Sequence, residues 1–398
     1  MVGRDPSERD RVATPLELLF DLTFATCFGL AASQFAAVLA EGRYAAALMG
    51  FGFASGAICW AWISFSWFSS AYDTDDWIFR IVTMVQMIGV LVLAIGLPRL
   101  FASIEHGPRV DNSIMVLGYV VMRVALVFQW LRAAGQDPAR RRACLTHAVV
   151  ISIAQLGWLL LVVVGFPAAA AVVLSGTLVL IELVGPLLAE QKNGGTPWHA
   201  LHIVERHSLF AIIALGEGLV GTVAALSAVV DQRGWTLDAA LVGVGGTGLT
   251  FGMWWLYYLL PSAQVLNRRR DRAFVWRYGQ MVIVTSIVAT GGGLRAAALW
   301  IERGAKISAV AAVVSVAIPL AAFFGSLFAL YFYLVRRFGL FDVSLALATA
   351  VVISVAVVAA LSGMSTPWCL VLLMFAPIVA VLGYEVIGYR RQADALAD

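Results

Sequence analysis

Seven ionisable residues, Glu17, Asp21, Arg123, Glu182, Glu205, Arg206 and Glu217, fall within or at the ends of stretches otherwise apolar enough for lipid. A charged side chain at the centre of a bilayer costs about 2.5 kcal/mol or more on insertion scales, so such residues turn into the protein and mark pathways, relays or buried pairs. Carboxylates held there can take up a proton or a small cation. Arginines held there can neutralise them. The chemistry open to this set is therefore ion or proton binding, or static charge pairing that fixes how helices pack.

Each residue carries its own expectation. Thr14-Pro15-Leu16-Glu17 is a capping box with proline at the first helical position, so Glu17 reads first as a helix starter. Asp21 lies one turn deeper on the same face, where no cap can use it. Its partner is either an arginine or a passing cation. Glu217 stands in HALHIVERHSLFAIIALGEGLVGT, twelve residues beyond Glu205, roughly 18 Å along a helix. That places it near mid-bilayer, with Glu205 and Arg206 towards one end. Gly216 and Gly218 flank it and would let another helix approach closely. Arg123 sits mid-span, too deep to snorkel, and should pair with Asp21, Glu182 or Glu217. Arg295 follows Gly291-Gly292-Gly293 and is expected near the outer end of its span, beside Trp300.

Other clusters are weaker. His199, His202, Glu205 and His207 have spacings at which imidazole and carboxylate can share a metal, but polar residues are expected at a helix end, and no metal is assigned. Cys27, Cys59, Cys144 and Cys369 stand alone and form neither a disulfide framework nor a zinc site. No pattern calls for a cofactor. The acidic loop SSAYDTDDWIFR holds Asp73, Asp75 and Asp76. Thr74 or Asp75 is expected to cap the next helix, and Asp76 to pair with Arg80 four residues on.

The elements that must position these residues follow from composition. The chain is 61% hydrophobic and 13% charged, with a mean hydropathy of +0.88, against about 25% charged residues in soluble domains. It reads as an all-α, polytopic integral membrane protein. About twelve runs reach the length of roughly 20 residues that a spanning helix needs: 15–40, 44–69, 78–97, 112–132, 146–164, 168–188, 199–226, 235–260, 275–300, 308–335, 340–362 and 367–389. The polar start, MVGRDPSERDRVA, and the long acidic run after it do not read as a cleaved signal peptide. Clusters such as Arg140–Arg142, Arg268–Arg270 and Arg336–Arg337 share a side with the N-terminus. The positive-inside rule then puts both termini in the cytoplasm. The net charge of +3 is too small and dispersed for nucleic acid.

The spans carry a faint internal repeat. Trp60 and Trp254, like Gln86-Met87 and Gln280-Met281, are 194 residues apart. Glu217 would then answer to Asp21 and Glu385 to Glu182. The expected organisation is a cytoplasmic segment 1–13, two parallel six-helix halves at 14–198 and 199–389, and a tail at 390–398. Transporters with such symmetry bind substrate between the halves, where Asp21 and Glu217 would form a cation or proton site.

TPLELLFDLTF at 14–24, YDTDD at 72–76, the span around Arg123, and ERHSLFAIIALGEGLV at 205–220 together resemble the bacterial low temperature requirement protein A family, LtrA. The resemblance implies a polytopic bacterial membrane protein linked to growth in the cold, and gives no substrate. LLFDLTFAT at 18–26 is also similar to the first-helix motif of the lysosomal and prokaryotic potassium channels, but Phe20 stands in place of its serine and Glu17 near its upstream arginine.

The leading expectation is a gradient-driven transporter or channel in the bacterial plasma membrane, moving a proton, small cation or small solute past the embedded carboxylates. Besides lipid and that solute, the candidate partner is a second copy of the chain. The alternatives are a sensor or scaffold for cold adaptation and a lipid-modifying membrane enzyme. No cytoplasmic His/Asp motif is dense enough to make an enzyme the first choice.

Overall fold

In lipid every backbone N–H and C=O must be satisfied within the protein, so apolar runs of this length fold as helices. The computed structural model describes the chain except residues 7, 9, 10, 107–109, 304, 305, 337, 338, 390 and 393–398. Arg337 of the basic clusters and most of the expected tail thus lie outside the described residues. The α-helices are α1 (Pro15–Ala40), α2 (Tyr44–Tyr72), α3 (Trp77–His106), α4 (Ser113–Gln136), α5 (Arg141–Val164), α6 (Ala168–Lys192), α7 (Ala200–Arg233), α8 (Leu237–Tyr258), α9 (Ser262–Arg268), α10 (Ala273–Arg303), α11 (Ala309–Val335), α12 (Leu340–Leu361) and α13 (Thr366–Gly383).

Among the described residues twelve spans are long and apolar enough to cross a membrane, α8 and the short α9 forming one of them. They fall where hydropathy puts them. The ends differ in places: α3 runs through Pro98 to His106 instead of stopping before the proline. Spanning helices tolerate proline when neighbours re-satisfy the freed carbonyl, and Leu97, Leu100 and Phe101 are buried around it.

The chain forms two compact units. The first holds Met1–Ala31 and Phe53–Arg206, and the second Ala32–Gly52 and His207–Asp398. In the first, α3 packs on α4, α4 on α5 and α5 on α6; in the second, α10 packs on α11, α11 on α12 and α12 on α13, which also packs on α8. The first unit is filled by aromatic rings: Phe20 lies 3.9 Å from Phe65, and Phe68 4.7 Å from Trp130, centroid to centroid. Its α3–α4 seam is tight because Gly118 meets the backbone of Leu93 and Gly89, where a side chain would not fit.

Candidate functional site

The first turns of α1 and α7 and the middle of α2 build a buried polar site in the first unit. The capping box forms: the Thr14 amide donates to Glu17 Oε2 at 2.9 Å, and the Glu17 amide to Thr14 Oγ1 at 3.3 Å. Helix starting is not all that Glu17 does. Its Oε1 ion-pairs with Arg206 Nη1 at 2.6 Å, and its Oε2 lies 3.1 Å from His202 Nε2. Asp21 accepts a bond from Arg206 Nη2 at 2.5 Å and from the Trp62 indole at 2.7 Å, both on Oδ1. Arg206 lies over the Trp62 ring, 5.6 Å from its centroid. Glu17, Asp21, His202 and Arg206 are fully buried, and Asp21 Oδ2, His202 Nδ1 and Arg206 Nε have no hydrogen-bond partner among the described residues.

The charges in this site do not balance. Two carboxylates share one guanidinium, and a neutral His202 adds nothing. Arg11, which donates to the carbonyls of Ser69 and Ser70 at the end of α2, lends its charge to Glu17 and to the buried Asp73 alike, so the wider set counts three carboxylates against two guanidiniums. One negative charge is left over in a dry place, where an uncompensated ion costs several kcal/mol. A proton on Asp21 or His202, or a small cation on the bare oxygen of Asp21, restores neutrality.

Arg123 joins neither Asp21 nor Glu217. It pairs with Glu182 at 3.0 Å, both buried in the first unit. Glu182 Oε2 also accepts the Tyr119 hydroxyl at 2.6 Å, and its Oε1 accepts Trp158 at 3.1 Å and Gln155 at 3.3 Å. This carboxylate is neutralised and saturated, as a fixed structural pair should be. Sequence reasoning missed Glu190, which accepts the Trp67 indole at 3.0 Å and the Thr196 amide at 2.9 Å and lies 3.4 Å from His147. In the second unit Glu385 accepts the Trp255 indole at 3.1 Å. Glu190 and Glu182 both share with Glu385 an indole donor, and the spacing of Glu190 from Glu385 lies near the sequence offset; that spacing was the available signal.

In the second unit Glu217 Oε2 accepts Arg295 Nη2 at 2.7 Å, and Arg295 also donates to the Ser33 hydroxyl. Arg295 is thus the partner of a mid-helix acid. Three successive glycines bring α10 to that point: Gly291 abuts the backbone of Glu217 on α7, Gly292 abuts Phe35 and Ala32 on α1, and Gly293 abuts Ser315 on α11. Of the glycines flanking Glu217, only Gly218 serves close approach, against Thr250; around Gly216 there is open space. Gly291→Ala should therefore destabilise the protein by about 1–3 kcal/mol through overpacking, whereas Gly216→Ala should not. Thermal unfolding of the two variants in one detergent checks this, and equal midpoints would contradict it.

The acidic loop is arranged otherwise than its spacing suggests. Asp76, not Thr74 or Asp75, caps α3 by accepting the Phe79 amide at 3.0 Å, and it pairs with Arg132 at 2.7 Å. Arg132, with Arg80 free to go to Asp75 at 2.7 Å, holds the Asp76 carboxyl well below the usual range. Asp73 is buried, accepts the Asp75 amide at 3.0 Å, and is pushed up to about 6 by burial and then by the charge of Glu17. Glu205 is half-buried and joins no hydrogen bond or ion pair among the described residues. His199 bonds the Glu8 carbonyl at 2.8 Å, and His207 lies 4.6 Å from Trp276. Among the described residues no three His, Cys, Asp or Glu side chains are grouped to hold a metal.

The family model described as "Bacterial low temperature requirement A protein (LtrA)" matches residues 12–377. The chain is also similar to a protein of Rhizobium meliloti (strain 1021) described as "Uncharacterized protein RA0937", with 24% identity over 308 residues, 73% of this chain and 70% of that protein. No solved structure matches.

Proposed function

The chain belongs to the LtrA family, and from the site it builds we propose that it is a gradient-driven, proton-coupled transporter of the bacterial inner membrane, with both termini in the cytoplasm. The observation that carries this reading is the pair of buried carboxylates, Glu17 and Asp21, on the single guanidinium of Arg206. A site with one charge too many holds a proton, and its partners change when the proton leaves. With Asp21 protonated, Arg206 is held by Glu17 alone and the Trp62–Asp21 bond weakens. With Asp21 ionised, Arg206 bridges both acids and draws the start of α7 against α1. That exchange gives the helices two packings, as alternating access requires. Full burial of the site favours a carrier that opens over a pore that stands open. The neutral Glu182–Arg123 pair, with its carboxylate saturated, supports a scaffolding role for that part of the first unit, and the two roles are compatible in one molecule.

The test is proton movement in proteoliposomes holding the full chain, driven by an imposed pH gradient. Wild-type protein should dissipate the gradient. Asp21→Asn should lower the rate by at least about tenfold, the effect of about 1.4 kcal/mol on one step, while remaining folded. Undiminished flux in folded Asp21→Asn protein, or none in the wild type, would overturn the reading.

A further inference from the structure

We propose that the second unit carries a binding site for an anionic phospholipid: an apolar groove that takes an acyl chain, rimmed by arginines that take the phosphate. The site is independent of the transport reading and lies apart from the Glu17–Asp21–Arg206 cluster of the first unit.

The groove lies between the end of α8, the last turns of α11, the start of α12 and the end of α13. It holds about 530 Å³, within the roughly 300–1,000 Å³ of ligand sites. Leu256, Leu327, Phe328, Phe332, Phe341 and Leu345 line it, so a hydrocarbon chain is the occupant its walls suit. One wall is irregular. After α13 the helix widens into a π turn, Tyr384–Gly388, in which the Tyr389 amide donates to the Tyr384 carbonyl. Such turns are rare and gather at functional sites. Tyr384 and Gly388 both line the groove. A Cβ at Gly388 would lie 2.9 Å from the Tyr384 ring, so the glycine leaves that ring its place. Leu340 and Val386, next in sequence to lining residues or within the π turn, are exposed, as residues facing lipid are.

The same end of the unit is basic. Arg391 is exposed and lies over the Phe341 ring, 5.4 Å from its centroid. Arg336 is exposed at the C-terminal cap of α11. The turn after α9 carries Arg268, Arg269, Arg270 and Arg272, and Arg272 donates to the Leu334 carbonyl, which fastens that turn to the end of α11. Against these arginines the described residues of the same segments set Asp271, Asp342 and Glu385. Asp342 lines the groove, but it accepts the Gly339 amide at 3.0 Å as the cap of α12, and Glu385 accepts the Trp255 indole. The excess is positive, so the head of the ligand is an anion and not an organic cation. Tyr331 and Tyr384 line the groove, and their hydroxyls have no hydrogen-bond partner among the described residues. Each can donate to a phosphate or ester oxygen. Basic pockets between spanning helices hold anionic lipid headgroups in this way.

The experiment is native mass spectrometry of the purified full chain in mild detergent, titrated with phosphatidylglycerol, phosphatidylcholine and glycerol phosphate, with folding checked by circular dichroism. Wild-type protein should prefer phosphatidylglycerol to phosphatidylcholine, and glycerol phosphate should not displace it. Arg391→Gln and Arg336→Asn should each weaken phosphatidylglycerol binding about fivefold, the effect of about 1 kcal/mol per basic residue near an anionic surface, and leave phosphatidylcholine unchanged. Both arginines are exposed, and asparagine suits the left-handed backbone at position 336, where φ is 56°. Ala380→Phe fills the groove from α13 and should weaken both lipids about tenfold, as when two methylene groups at about 0.8 kcal/mol each no longer fit. Leu345→Trp fills it from α12 and serves if Ala380→Phe does not fold. Equal affinity for the two lipids, or displacement by glycerol phosphate alone, overturns the proposal. So does unchanged phosphatidylglycerol binding in the folded arginine variants or in a folded groove-filling variant.

Discussion

Replacing Arg206 with methionine should cost about 3–5 kcal/mol of stability, the range for stripping one partner from a buried ion pair. The loss is expected at the upper end because Arg206 serves two acids. Glu17 keeps its His202 and Thr14 contacts and Asp21 keeps Trp62, but neither contact brings a fixed positive charge. The measurement is the thermal midpoint of purified protein in detergent, with folded yield alongside. Adding Glu17→Gln and Asp21→Asn to Arg206→Met removes the uncompensated charges and should recover most of the loss. A single variant as stable as wild type would mean that the site is open to water and that its charge imbalance has no consequence.

The second large effect is expected at Glu182. Glu182→Ala leaves Arg123 buried and unpaired and strips acceptors from Tyr119, Gln155 and Trp158. The loss should again be about 3–5 kcal/mol. Here the pair is neutral and its carboxylate saturated, so an apolar replacement of both members, Glu182→Leu with Arg123→Met, should be close to wild type in stability, and the folded double variant should keep its proton flux. Loss of flux in that stable double variant would show that Glu182 takes part in transport and is not a packing device.

The twelve spans were legible because the bilayer admits so few backbone solutions that hydropathy nearly decides the fold. The capping box at Thr14 was legible because both members lie within one turn. Asp21, Arg206 and Glu217 were visible as charges in apolar runs. What the sequence withheld is who meets whom. Arg206 is 185 residues from Asp21, and Arg123 is 59 from Glu182; such pairings are set by tertiary packing and leave no local spacing to read. The pairing of Arg295 with Glu217, 78 residues away, likewise leaves no local spacing to read; helical side chains lean towards the N-terminus of their helix, which lets its guanidinium reach Glu217. Trp62, Tyr119 and Trp158 gave no signal, since an aromatic residue in an apolar span looks like packing until its polar edge is seen to donate. At Asp76 the error was one of boundary: the capping residue was displaced by one or two positions, and the pairing of Arg80 moved with it.

The central claim is that the Glu17–Asp21–Arg206–His202 site carries one exchangeable proton. Proton uptake by the purified protein, read with a pH dye as the solution is taken from about pH 8 to about pH 5, the range in which a site of this kind can serve a cell, tests it most directly. Wild-type protein should bind one proton more per chain than folded Asp21→Asn protein, whose site is neutral without it. Equal uptake by the two would contradict the claim.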